Sequence, residues 1–133
     1  GGAAEGHAGW AGGGVGRAGG DGARRSVAAG GIVSSDGPRS IADGAQTTAR
    51  GSLTCPLLQK DRRRIVTIED SALVETMRLL AERMKIVVEP TGCLGVAAAL
   101  AHAAEWKGKK IGVIVSGGNI DMARFAALLG QRA

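Results

Sequence analysis

The most regular hydrophobic pattern lies in the second half of the chain. Ile65-Val66-Thr67-Ile68 is a short β-branched run, and Leu73, Met77, Leu80 and Met84 then recur at helical spacing from Asp70 onward. The spacing predicts a strand followed by a helix with one apolar face, its methionines serving as packing. Glu75 with Arg78, and Glu82 with Lys85, can pair across one turn, each pair worth only ~0.2–0.5 kcal/mol. Ile86-Val87-Val88 reads as a strand buried on both sides, closed by Pro90, which lacks a backbone donor and restricts Glu89. A second helix is expected from about Thr91, and the small residues at 96–101 let it lie close against a sheet. Lys107-Gly108-Lys109-Lys110 turns the chain back. Residues 111–115 read as the next buried strand, which stops at Ser116-Gly117-Gly118-Asn119 before another helix-forming stretch.

Helix and apolar strand alternating in this way predict an α/β fold, a partial parallel sheet with flanking helices, in which ligands gather at the carboxyl ends of strands. Glu89 and Ser116 both stand at such ends. Glycine and a polar residue at a strand end also serve merely to turn a corner, so position alone leaves both readings open. The first half is less regular. Residues 26–29 suit a short helix, Gly30-Gly31 a break, Ile32-Val33 a brief strand and Asp36-Gly37-Pro38 a turn. Of the 23 glycines, 11 fall within the first 22 residues, a stretch that offers too few apolar groups to offset its chain entropy. The chain therefore divides into a disordered N-terminal segment, 1–22, and a folded part, 23–133.

Charge sharpens the division. Residues 1–64 hold nine Lys/Arg against five Asp/Glu, whereas residues 65–133 hold eight against seven. Lys60, Arg62, Arg63 and Arg64 form the densest basic cluster, yet one Phe, no Tyr and two distant Trp provide nothing on which bases could stack, so no nucleic-acid partner is expected. Cys55 and Cys93 are too few and too far apart for a zinc cluster or a disulfide framework. The reading is a reducing, cytoplasmic setting, with no secretion signal and no apolar run long enough to span a bilayer.

Four blocks carry a resemblance: Ile41-Ala42-Asp43-Gly44-Ala45-Gln46, Thr54-Cys55-Pro56, residues 82–92 ending in Glu89-Pro90-Thr91-Gly92, and Ser116-Gly117-Gly118-Asn119. In order and spacing, residues from about Arg24 to Gly130 resemble the C-terminal third of the pyridoxal-phosphate-dependent serine/threonine dehydratase family, which includes serine racemases and threo-3-hydroxyaspartate ammonia-lyases. That resemblance implies the C-terminal part of a fold-type II enzyme of the tryptophan synthase β-like kind, with pyridoxal phosphate as cofactor and a small amino acid as substrate. It implies that Ser116 sets its hydroxyl against the pyridine nitrogen. A neutral hydroxyl there makes a weaker electron sink than a carboxylate would, which favours rapid loss of a β-hydroxyl over transamination. Gly44 and Glu89 would line the same ring, Gly44 because a side chain would collide with it. Gly117 and Gly118 would allow close backbone approach, and Asn119 would cap the following helix. Cys93, in a predicted first helical turn where a thiol pKa can fall, is read as a small buried hydrophobe with no catalytic role.

Other family features have no counterpart in these residues. The lysine that holds the cofactor lies far upstream in family members, and Lys60, Lys85, Lys107, Lys109 and Lys110 all occupy other positions. Gly12-Gly13-Gly14 is too close to the matched blocks to be the family's tetraglycine phosphate cradle and reads as low complexity. At the family's divalent-cation site, Gly16 and Gly22 replace two carboxylates and leave Asp21 beside Arg17, so no metal is expected. The resemblance thus implies a fragment of an ammonia-lyase acting on threonine, serine or 3-hydroxyaspartate, inactive by itself, with a truncated or frameshifted reading frame upstream of about residue 23. The alternative is a non-catalytic binding or pseudoenzyme subunit, self-associating or paired with a full-length homologue.

Overall fold

The computed structural model describes residues 12–16, 22–30, 40–45 and 64–131. In chain order they form β1 (Gly12–Gly16), α1 (Gly22–Ala29), a 3-10 turn (Asp43–Ala45), β2 (Arg64–Ile68), α2 (Asp70–Leu79) prolonged by a π-helical turn (Leu80–Met84), α3 (Pro90–Ala101) and α4 (Met122–Gly130). Ile32-Val33, Asp36-Gly37-Pro38, Thr54-Cys55-Pro56, Arg17, Asp21 and the cluster from Lys60 to Arg63 lie outside the described residues.

β2 forms where the β-branched run predicts it and pairs in parallel with β1, Gly12 opposite Arg64 and Gly16 opposite Ile68. Composition alone places Gly12–Gly16 in a disordered segment. A parallel ladder needs only backbone donors and acceptors, so a glycine run can serve where a neighbouring strand accepts it. The helix α1 likewise starts at Gly22, ahead of the expected 26–29.

α3 packs on α2 and on both strands, and α4 packs on α2. Leu73, Met77 and Cys93 are fully buried, and Leu80, Val88, Leu94, Ala97, Ala98 and Leu128 complete most of the core. Burying each large side chain contributes roughly 1.5–3 kcal/mol. Thr76, buried among them, satisfies its hydroxyl on Ala72 O at 2.7 Å, one turn back. Arg78 pairs with Glu75 at 2.6 Å and sends its other guanidinium nitrogen to Leu129 O at 2.7 Å, placing a cation at the carboxyl end of α4.

Three expectations need correction. Met84 is 61% exposed rather than packed, because the π turn shifts the helical phase after Leu80 and ends with Lys85 in the left-handed region at φ 59°. Glu82 and Lys85 accordingly make no ion pair with each other, although Glu75 and Arg78 do. The runs 86–88 and 111–115 belong to no described helix or strand ladder, and they are not buried on both sides. Val88 is buried, Val87 is 45% exposed and Ile114 is 77% exposed. An apolar run reports the environment it needs, and a strand ladder also needs neighbours. Among the described residues one backbone bond joins the segments just beyond the two runs, Glu89 N–H to Gly117 O at 3.3 Å.

Candidate functional site

The amino end of α3 gathers the residues that the sequence motifs single out. Glu89 is its N-cap residue, extended at φ −69° and ψ 161°, and Pro90 occupies the first turn, where a missing N–H costs nothing. The Glu89 side chain makes no cap hydrogen bond, so its carboxylate is not used up by the helix it precedes. The positive end of the helix dipole favours a charged carboxylate at that position.

On one side, the Ser116-Gly117-Gly118 turn is seated directly on this helix start. Gly117 has φ +79°, a left-handed conformation that side chains resist, and a Cβ there would overlap Glu89 Oε1. A Cβ on Gly92 would overlap Ser116 O, and one on Gly118 would come within 2.6 Å of Val87 O. These glycines therefore have a reason within the chain itself, which is to let residues 87–92 and 116–118 touch backbone to backbone. Ser116, Gly117 and Asn119 are all exposed. Asn119 does not cap the following helix. Asp121 does, accepting from Arg124 N at 3.0 Å, because a cap must stand immediately before the first helical residue, Met122.

On the other side, the 40–45 loop brings up Gly44, where a Cβ would stand 3.0 Å from Thr91 Oγ1. Thr91 Oγ1 is buried and has no hydrogen-bond partner among the described residues. A buried hydroxyl without a partner costs about 1–3 kcal/mol, so this atom marks a place where a polar group of a ligand would be welcome. Thr91 and Gly92 stand inside the Glu89-Pro90-Thr91-Gly92 block, yet only the three-dimensional contacts give them a role.

Cys93 is fully buried one turn into α3. Burial, with a smaller contribution from the Glu89 charge, pushes its thiol up to about 11, against the depression that a helix N-terminus alone would produce. It is protonated at neutral pH and is no nucleophile.

The structure thus brings together Gly44, Glu89, Ser116 and Gly117, with Thr91 and Gly92 beneath them, and leaves Asn119 without a described contact to this cluster. An exposed hydroxyl and a half-buried carboxylate over a glycine-lined backbone floor suit a flat, polar-edged ligand. The orphaned Thr91 hydroxyl supports the same fit. No helix among the described residues is long and apolar enough to cross a membrane.

Residues 13–117 match the family described as "Pyridoxal-phosphate dependent enzyme", a match that takes in most of β1 and begins ahead of the compositional boundary near residue 22. The chain is 48% identical over 112 residues to the L-threo-3-hydroxyaspartate ammonia-lyase of Pseudomonas sp, covering 84% of this chain and 35% of that protein. It is 47% identical over 114 residues to the serine racemase of Schizosaccharomyces pombe, covering 86% of this chain and 35% of that protein. Among solved structures it superposes on the threonine deaminase of T.th. with a TM-score of 0.75 and 42% identity, covering 80% of this chain and 38% of that one. Maize serine racemase gives a TM-score of 0.74 at 34% identity, covering 85% and 36%. The chain therefore spans about a third of the length of the curated relatives it matches.

Proposed function

Because the chain belongs to the pyridoxal-phosphate dependent enzyme family and has the architecture of the C-terminal part of a fold-type II member, we propose that Gly44, Glu89, Ser116 and Gly117 form the wall that receives the cofactor's pyridine ring. On this reading the chain is a fragment of an ammonia-lyase that dehydrates and deaminates a β-hydroxy amino acid, threonine, serine or 3-hydroxyaspartate, to a keto acid and ammonia. The observation that carries this reading is the meeting of three distant segments at the amino end of α3, around a buried hydroxyl with no partner among the described residues.

Pyridoxal phosphate, when bound, supplies an electron-withdrawing ring that eases loss of the substrate's Cα proton and of its β-hydroxyl. The Ser116 hydroxyl would hold the ring at its nitrogen and, being neutral, would not keep that nitrogen protonated. The Gly44 backbone and the Thr91 hydroxyl, which lie together on the opposite side of the α3 start, would border the ring there. Glu89, held by its backbone bond to Gly117, would set its carboxylate against the ring edge. Asn119 stands at the end of the same turn and is assigned to its outer rim. Cys93 stays protonated beneath them and takes no part.

The 133-residue chain by itself is expected to bind pyridoxine 5′-phosphate, which has the ring and phosphate but no aldehyde to react with surface lysines. With pyridoxal phosphate it is expected to release no keto acid from any of the three substrates. Failure to bind the probe saturably would overturn the ring-wall reading. Keto-acid release together with a borohydride-reducible imine on one lysine would place a catalytic lysine among these residues. A second reading, a binding subunit that pairs with a full-length homologue, is favoured by the exposed apolar run at 111–115. Co-purification with such a homologue tests it.

A further inference from the structure

Arg124 stands in the first turn of α4, rooted in the bend that follows Ser116 by its own N–H, which donates to Asp121 Oδ1 at 3.0 Å. Its guanidinium reaches a loop 81 residues away in sequence, where Nη1 donates to Asp43 Oδ2 at 2.8 Å. Nη2 donates to Ile41 O at 3.3 Å in the same loop. The other oxygen of Asp43 accepts from Gly44 N at 2.9 Å. One carboxylate thus fixes the Gly44 amide with one oxygen and is held from the Ser116 side with the other. The opposite end of the loop is tied to α2, since Asp70 accepts from Ser40 Oγ at 2.6 Å and from Ile41 N at 3.0 Å.

We infer that Asp43 and Arg124 are a positioning pair that fixes the Gly44 loop relative to the Ser116 turn and so sets the spacing of the two walls between which the ring lies. The ring itself rests on the function proposed above, whereas the clamp rests on the described contacts alone. The pair is half exposed, 46% for Arg124 and 55% for Asp43, so it contributes little to global stability. Its effect is local: a fork that grips a carboxylate and a carbonyl at once restricts the loop more than a single contact does. Neither residue is assigned a contact with the ligand, and each acts through a neighbour in the wall.

The test compares the unsubstituted chain with Arg124→Met, Arg124→Lys, Asp43→Asn and the reversed pair Asp43→Arg/Arg124→Asp. Two quantities are read: amide hydrogen exchange at residues 41–45 without ligand, and the Kd for pyridoxine 5′-phosphate. Arg124→Met is expected to speed exchange at 41–45 by about three- to tenfold, to leave exchange in α2 and α3 unchanged, and to raise Kd by a similar factor. Asp43→Asn, which removes the charge and keeps one acceptor, and Arg124→Lys, which keeps the charge and loses the fork, fall between. The reversed pair recovers part of both effects. Unchanged exchange at 41–45 overturns the clamp. Faster exchange with an unchanged Kd overturns the positioning role. If the unsubstituted chain fails to bind the probe at all, the ring-wall reading fails and the positioning role fails with it, while the exchange data still report on whether the clamp exists.

Discussion

The helical core and the irregular limb at 111–119 are drawn from similarly apolar sequence and end in opposite environments. In α2 and α3, Leu73, Met77 and Cys93 lose all contact with solvent, whereas in the limb Ile111 is 48% exposed and Ile114 77%. The core closes because helices offer their apolar faces to one another and satisfy their backbone internally. The limb offers a backbone edge and two apolar faces that only strands and further layers could cover. The candidate site stands at the junction of the two, where Glu89 and Gly92 belong to the closed part and Ser116 and Gly117 to the open part. The rigid half positions the wall, and the open half presents it.

The largest test of that contrast is a truncation in each region. Met77→Ala is expected to cost roughly 2–5 kcal/mol through lost burial and the cavity left behind. Ile114→Ser is expected to stay within about 0.5 kcal/mol. Urea denaturation of both variants checks the pair, and equal costs would dissolve the distinction between core and limb.

At the junction, Gly117→Ala forces a side chain into a left-handed conformation and against Glu89, so a loss of about 1–3 kcal/mol is expected by the same measurement. Gly108→Ala, at the same φ of +79° but with nothing within 4 Å of the added methyl, serves as the matched control. A cost larger at Gly117 than at Gly108 would mean that the motif glycines are needed for the wall to assemble even before any ligand arrives.

How far the sequence reveals all this depends on the range of the interaction. β2, α2 and α3 are written in local periodicity, and Pro90 marks the start of α3 to within a residue of expectation. The π turn is not, since nothing in the spacing of Leu80 and Met84 announces a change of phase. The strand at Gly12–Gly16 is hidden because its pairing is a property of the backbone and of a neighbour far along the chain. Glu89 and Ser116 are legible because each stands in a block that resembles the family, while the end of an apolar run by itself leaves a simple corner equally open. Thr91 as an orphaned hydroxyl and the Asp43–Arg124 pair are invisible, because each depends on where a distant segment lands.

Smaller effects sharpen the picture of the site. Cys93 is expected to react with a disulfide reagent at pH 8 only at the rate at which the core opens, since burial holds its thiol at about 11. Denaturant should accelerate that reaction in parallel with unfolding, and rapid labelling of the native chain would show that the amino end of α3 is open.

The smallest effect concerns Asp43. Arg124 beside it holds its carboxyl below the ordinary value of 3.8. A folded pKa lowered in this way means that the pair's contribution is complete above the unfolded value and is lost as pH falls through the folded one. The Gly44 amide resonance is therefore expected to stay constant from neutral pH down to about pH 4 and to move only below it. In Arg124→Met the same movement should begin at higher pH.

The central claim, that the amino end of α3 with its two flanking turns receives a pyridine ring, is tested most directly by mapping pyridoxine 5′-phosphate onto the chain with nitrogen-15 NMR. Saturable shifts are expected to concentrate at Gly44, Glu89, Thr91, Ser116 and Gly117, with weaker binding in Ser116→Ala. Shifts that fall elsewhere, or that are the same in Ser116→Ala, would contradict it.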